Sequence, residues 1–191
     1  MEIIFISLIS YLTGSIPFGL ILTKFFLNKD IRDIGSGNIG ATNVLRSGNK
    51  IIGYATLVFD ILKGVIPVLF TKLYYSDLIF ISSLCAFLGH IFPVWLKFNG
   101  GKGVAIYLGI LFSINIIIGL VFTGIWIFTF LITKYSSLSS LLASLSIPIY
   151  LLIFNSQNLI FFSIMFILIL FTHRENIKRL KNKEESKTKI Y

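Results

Sequence analysis

Seven apolar stretches separated by short polar breaks constrain this chain more than any other feature. They cover 3–23, 51–71, 78–96, 103–113, 116–133, 138–154 and 158–172. A helix needs about 20 mostly apolar residues to cross a bilayer, and only a helix or a closed barrel satisfies its own backbone there. The reading is therefore an all-α polytopic bundle of seven transmembrane helices. The fourth stretch looks too short to cross alone. Ser113–Asn115 reads as a tight turn between two helices, and one long bent segment over 103–133 is the alternative. With 55% hydrophobic and 13% charged residues, composition agrees, since soluble domains run nearer a quarter charged. At 191 residues there is room for one bundle, so 1–191 reads as a single transmembrane domain with a basic tail over 174–191. The first stretch follows Glu2 with no basic leader and no small-residue cleavage site, and is expected to stay as a span.

The net charge of +9 does not lie along a soluble face and does not point to nucleic acid. It collects in loops. With seven spans, 15 of the 17 basic residues fall on one side, leaving Lys72 on the other and Lys63 within a span. Lysine and arginine in short loops resist translocation, so the crowded side is cytoplasmic, the N-terminus outside and the C-terminus inside. The lone cysteine, Cys85, sits in an apolar run and reads as a packed small side chain.

The polar segments on that crowded side carry the chemistry. Residues 32–46, RDIGSGNIGATNVLR, read as a phosphate-binding loop. Gly35, Gly37 and Gly40 let backbone N–H groups approach an anion. Ser36, Asn38, Thr42 and Asn43 add neutral donors, and Arg32 and Arg46 bracket the run with planar charged forks. A second cluster, GHIFPVWLKFNGGKGVA at 89–105, runs Gly100, Gly101, Lys102 and Gly103 straight into an apolar helix. Free N–H groups, the positive helix end and an ammonium make this an anion site as well, with a plain turn and a snorkelling lysine as the alternative. It lacks the spacing of a nucleotide-binding P-loop.

His90, at membrane depth, is either functional or bonded to a neighbouring helix. Asp60 and Lys63 are three apart on one helical face and are read chiefly as an internal pair, with a proton or substrate path as the rival. His173, Arg174, Asn176 and Arg179 come where the last span reaches the cytoplasm, and His173 and Asn176 share a face. Ser137, at the start of the sixth span, is a further weak candidate. The tail from Lys181 to Lys189 reads as headgroup attraction. Two histidines and few acids make no metal cluster, so no metal and no cofactor are expected, and no G-x-S-x-G elbow exists for a serine triad.

Gly14-Ser15-Ile16-Pro17, GSGNIGATNVLR at 35–46, GHIFPVWLKFNGGKGVA at 89–105 and HRENIKR at 173–179 resemble the bacterial acyl-phosphate:glycerol-3-phosphate acyltransferases, collinearly and over nearly the whole chain. The resemblance implies a seven-helix enzyme of the bacterial cytoplasmic (inner) membrane with its site on the cytoplasmic side. It would move a fatty acyl group from acyl phosphate to the sn-1 hydroxyl of glycerol 3-phosphate, giving lysophosphatidic acid. On this reading Ser36, His90, Lys102, His173 and Asn176 are catalytic. Arg32, Gly35, Gly37, Asn38, Gly40, Thr42, Asn43, Arg46, Gly100, Gly101, Gly103 and Ser137 hold substrate or phosphate. A monomer among membrane lipid is expected. Departures are Ile106 after GGKGVA, Asn99 before the glycines, and Asn182-Lys183-Glu184 for a frequent Gly-Thr-Glu. The rivals, an anion transporter and a non-catalytic assembly subunit, fit less well. The polar motifs crowd one face, no inverted repeat is visible, and a subunit would not need this set of cations.

The orientation has a direct test. Single cysteines at Asn49 and Ser186, with Cys85 replaced by Ala, are expected to react with a membrane-impermeant thiol reagent only after the membrane is opened. A cysteine at Asn155 reacts in intact cells. Labelling of Asn49 or Ser186 in intact cells would reverse the topology.

Overall fold

In the first apolar stretch, Pro17 has no N–H to continue a helical ladder and pushes Ile16 out of the helical region. The expected single helix over 3–23 is accordingly two: α1 (Glu2–Gly14) and α2 (Phe18–Leu27). The structure, a computed structural model, describes residues 1–154 and 158–188. Asn155 with the outer turn at 155–157, and Lys189 of the tail, lie outside the described residues. Those described are helical, with no strand among them, and they form two compact units, Met1–Ile114 and Asn115–Tyr191.

In the first unit a short α3 (Ala41–Arg46) precedes α4 (Lys50–Tyr74), which starts where Asn49 Oδ1 accepts the Ile52 N–H at 3.0 Å. The remaining helices are α5 (Ile79–Ile91) and α6 (Val104–Ile114). α4 is the centre and packs against α1, α2, α3, α5 and α6. Small residues set the approach, as hydrocarbon offers helices no hydrophobic drive to associate. A Cβ on Gly64 would come within 2.6 Å of the Ile106 carbonyl, and Gly109 lies against the Ile61 carbonyl. α1 meets α5 in the same way, with Gly14 on the Ala86 backbone and Gly89 on the Tyr11 carbonyl. The Ser10 and Ser82 hydroxyls bond across that contact at 2.9 Å.

The second unit holds α7 (Ile116–Thr133), α8 (Ser136–Ile153), α9 (Leu159–Thr172) and α10 (Arg174–Lys181). α8 packs between α7 and α9. Its serines answer their own helix: Ser139, Ser140 and Ser144 donate to the carbonyls of Tyr135, Ser136 and Ser140. A hydroxyl satisfied this way is tolerable in hydrocarbon.

Polarity runs inside out relative to a soluble protein. Leu73 and Ile160 are 76% and 77% exposed, while Thr56, Asp60, Lys63, Ser82 and His90 are buried. Asp60 and Lys63 do pair, at 2.7 Å. Five stretches are long and apolar enough to cross a membrane: Glu2–Leu27, Lys50–Tyr74, Ser76–Leu96, Ile116–Thr133 and Ser136–Ile153. α9 and α10 qualify only as a pair bent by 62°, and α6 is short at 11 residues. The described residues thus carry five or six such stretches, and the chain is a multi-pass membrane protein.

Candidate active site

The first glycine-rich loop leaves α2 through Asn28 in the left-handed region (φ 52). Asp30 then takes up Arg32 completely: the Arg32 backbone N–H, Nε and Nη2 donate to its carboxylate at 3.0, 2.9 and 2.6 Å, and Lys24 stands 3.3 Å away. The Arg32 guanidinium holds the Asp30 carboxyl far below the usual carboxylate range, and Asp30 in turn raises Arg32.

Asn43 organises the loop from within. Its Oδ1 accepts the Ser36 N–H at 2.8 Å, and its Nδ2 reaches the carbonyls of Ile31, Ile34 and Asn38 at 3.0, 2.8 and 2.8 Å. Gly35 and Gly37 sit at φ +58 and +70, and a side chain at 35 would collide with the Asn43 amide. Only glycine adopts that conformation freely. Asn38 Oδ1 accepts the Gly40 N–H at 2.9 Å, leading into α3, whose first turn carries Thr42. Beneath lies an apolar cluster of Leu20, Ile31, Ile39, Val44 and Ile52, so the loop rests on a core of its own.

Arg46 runs beside Gly35 and lines an open cavity of about 470 Å³ with Lys29, Asp30, Asp33, Ile34 and Ser47. Among the described residues it carries no ion pair, in contrast to Arg32. Of the two arginines that bracket this loop, Arg46 is thus the one whose charge is not already met by a carboxylate among the described residues.

The second loop folds back on the end of α5. The Gly100 and Gly101 N–H groups donate to the carbonyls of Ile91 and His90, each at 3.1 Å. Gly103 stands at φ +85 against the Phe87 ring, and α6 begins one residue later. His90 is buried with Nε2 directly under Gly101, and its Nδ1 has no hydrogen-bond partner among the described residues. It supports the loop from below. Leu96, in the same segment, packs on the apolar cluster under the first loop. The Val94–Leu96 turn before the second loop thus touches the core of the first, while Gly100, Gly101 and Gly103 rest on the end of α5.

In the second unit a tail acid gathers the polar residues. Glu185 accepts from Ser137 Oγ at 2.9 Å, Asn176 Nδ2 at 2.8 Å and Arg179 Nε at 2.8 Å. Burial pushes its carboxyl up, and the bonds from Arg179, Asn176 and Ser137 more than reverse this, so it titrates below the ordinary glutamate range. The tail is pinned again where the Thr188 N–H donates to the Lys134 carbonyl at 2.9 Å. The sequence reading left Glu185 within the basic tail and named Glu184 only as part of the Asn182-Lys183-Glu184 departure. The available signal was a second carboxylate in an otherwise basic run. His173 is buried at the end of α9, with Nδ1 2.9 Å from the Ile169 carbonyl. A carbonyl only accepts, so Nδ1 is the donor in this contact.

Fold and loops together define a multi-pass helical membrane protein with two internally braced, cation-bearing glycine-rich loops. The family model for glycerol-3-phosphate acyltransferase matches residues 4–183. The glycerol-3-phosphate acyltransferase of Pelagibacter ubique is 70% identical over 191 residues, 100% of both chains, and that of Brucella anthropi is 51% identical over 93% of this chain and 89% of its own. A crystal structure of PlsY (YgiH), an integral membrane glycerol 3-phosphate acyltransferase, in its glycerol 3-phosphate form matches with a TM-score of 0.93 at 36% identity, over 98% of this chain and 96% of that one. Its lysophosphatidic acid form matches at 0.90 and 35%, over 98% and 95%. The chain belongs to the glycerol-3-phosphate acyltransferase family and is a membrane acyltransferase.

The Glu185 contacts set a pH dependence. A carboxylate held below its ordinary value of about 4.5 contributes docking energy above that pH and loses it as pH falls through the lower, folded value. A fluorophore on a cysteine at Ser186 (Cys85→Ala background) is expected to report a docked tail at neutral pH and release only in acid. Glu185→Gln should release it at neutral pH. An unchanged signal in that variant would remove the docking role.

Proposed function

We propose that this enzyme transfers a fatty acyl group from acyl phosphate to the sn-1 hydroxyl of glycerol 3-phosphate, giving lysophosphatidic acid and inorganic phosphate in the first step of membrane phospholipid synthesis. The whole chain acts as one acyltransferase domain of the bacterial inner membrane. α6 and α9 are counted with the five longer stretches as seven spans, the N-terminus is outside, and the site faces the cytoplasm. It works as a monomer without metal or cofactor.

The observation that carries this reading is that the segment leading into the second glycine-rich loop packs, through Leu96, on the apolar core beneath the first, whose Arg46 lines an open cavity. Both substrates bring phosphate, so an enzyme of this reaction needs cations more than a nucleophile; the N–H groups of Ser36, Gly37, Gly40, Gly100 and Gly101, expected from the sequence to meet an anion, are instead bonded within the loops. Acyl phosphate is a mixed anhydride. The glycerol hydroxyl forms a new bond to the acyl carbon, the bond from that carbon to the phosphate oxygen breaks, and the hydroxyl proton leaves with the phosphate. The protein supplies alignment of hydroxyl and carbonyl, and positive charge near the developing oxyanion. Asn43 and His90 serve by holding the loops in shape. Ser36, Lys102, His173 and Asn176 are proposed to contribute to turnover.

Purified protein given palmitoyl phosphate and glycerol 3-phosphate is expected to form lysophosphatidic acid and phosphate in equal amounts, with EDTA without effect. Arg46→Ala and Lys102→Ala should each lower turnover about 10- to 100-fold, the consequence of losing a charge-assisted hydrogen bond worth ~1.5–3 kcal/mol. Near-normal rates in both, or activity that depends on added Mg²⁺, would overturn the reading.

A further inference from the structure

The buried ion pair of the first unit holds no phosphate, yet it sits where both glycine-rich loops are anchored. Lys63 and Asp60 are each 3% exposed. Lys63 Nζ lies 2.7 Å from Asp60 Oδ1, and it donates to the Ile16 carbonyl at 2.7 Å. The approach to Asp60 Oδ1 misses hydrogen-bond geometry, so that contact is an ion pair and the directed bond runs to Ile16. This carbonyl belongs to the break between α1 and α2, where the Phe18 N–H also reaches it, at 3.1 Å. The Phe18 ring lies 5.8 Å from the same ammonium.

The break is tied in both directions. On one side, Ser15 Oγ accepts the Trp95 indole N–H at 2.8 Å, and Tyr11 Oη donates to the Phe92 carbonyl at 2.7 Å. Trp95 and Phe92 lead into Gly100–Gly103. On the other side, Gly19 lies against the Ile39 carbonyl, and Leu20 belongs to the cluster beneath the first loop. A shift of the break moves both loops at once.

We propose that Lys63, with Asp60 as its counter-charge, is a positioning residue for acyl transfer: by bonding the Ile16 carbonyl it fixes the α1–α2 break and so the mutual placement of the two glycine-rich loops. The inference rests on those loops being the site. A purely fold-holding role makes a different forecast. Replacing a buried pair by apolar residues of similar size is often neutral for stability, whereas leaving one charge unpaired is not. A fold-holding pair is therefore replaceable without loss of turnover, and a positioning pair is not.

The test compares Asp60→Leu/Lys63→Met with Lys63→Arg, which keeps a charged donor. Melting temperature in detergent, kcat and KM with palmitoyl phosphate, and the Kd for glycerol 3-phosphate are read together. The double variant is expected to melt near the wild type, to bind glycerol 3-phosphate more weakly and to lose kcat ~100-fold, the scale of an ångström-sized misplacement. Lys63→Arg should recover most of that loss. A folded double variant with wild-type kcat and Kd, or a folded Lys63→Arg as slow as the double variant, overturns the proposal. Should the double variant not fold, Trp95→Phe decides: it removes one tether outside the pair, and kcat is expected to fall about tenfold at unchanged melting temperature. Wild-type kcat there overturns the proposal equally. Wild-type protein inactive with palmitoyl phosphate would fail the proposed donor instead, and the Kd comparison would still judge the positioning role.

Discussion

A backbone carbonyl inside hydrocarbon has no water to turn to, and the Pro17 break leaves that of Ile16 with a short-range contact from the Phe18 N–H in place of a helical one. The response to that constraint organises the first unit. An ammonium is brought to the carbonyl from α4, and an ammonium at that depth requires a counter-charge, which Asp60 provides one helical turn away at 2.7 Å. Without the break, α1 and α2 would continue as one rod. The chain would then not leave the apolar cluster at the place from which the glycine-rich loop folds over it. A local defect in one helix thus creates the polar surface, and a buried charge pair on another makes the defect tolerable.

The loops themselves are held by different means. The first is tied by a single inward-facing amide, Asn43, bonding four backbone positions from Ile31 to Asn38. The second is closed by backbone bonds from Gly100 and Gly101 to the last carbonyls of α5, with the His90 ring as its floor. Both are therefore pre-shaped before any ligand arrives. A loop fixed in this way holds its cation in place without reorganisation at the moment charge develops, which is where such groups contribute most to a transition state. The cations divide as well: Arg32 is held by Asp30, and Arg46 is not.

The apolar elements were readable because their ends are marked chemically. The run 116–133 coincides with α7, since Asn115 caps its start at 2.8 Å and Lys134 stops it in the left-handed region. The break at 15–17 escaped a count of apolar residues because Pro17 adds no charge and interrupts hydrogen bonding rather than hydropathy. Glycines 35 and 37 were legible as conformational necessities. That Asn43 faces inward was not, because donor chemistry in a loop looks the same whether it meets an anion or its own backbone. Glu185 was the least visible: its partners at 137, 176 and 179 meet only once the tail has turned back on α8, and locally it looks like one acid in a solvated basic run.

The two glycine-rich loops are proposed to act together on phosphate. Hydrogen–deuterium exchange of the detergent-solubilised protein, with and without saturating glycerol 3-phosphate, addresses this directly. Backbone amides of 35–47 and of 99–104 are expected to slow together on ligand addition, and the same segments should respond to inorganic phosphate. If glycerol 3-phosphate binds and neither segment changes, the phosphate is held elsewhere and the account fails.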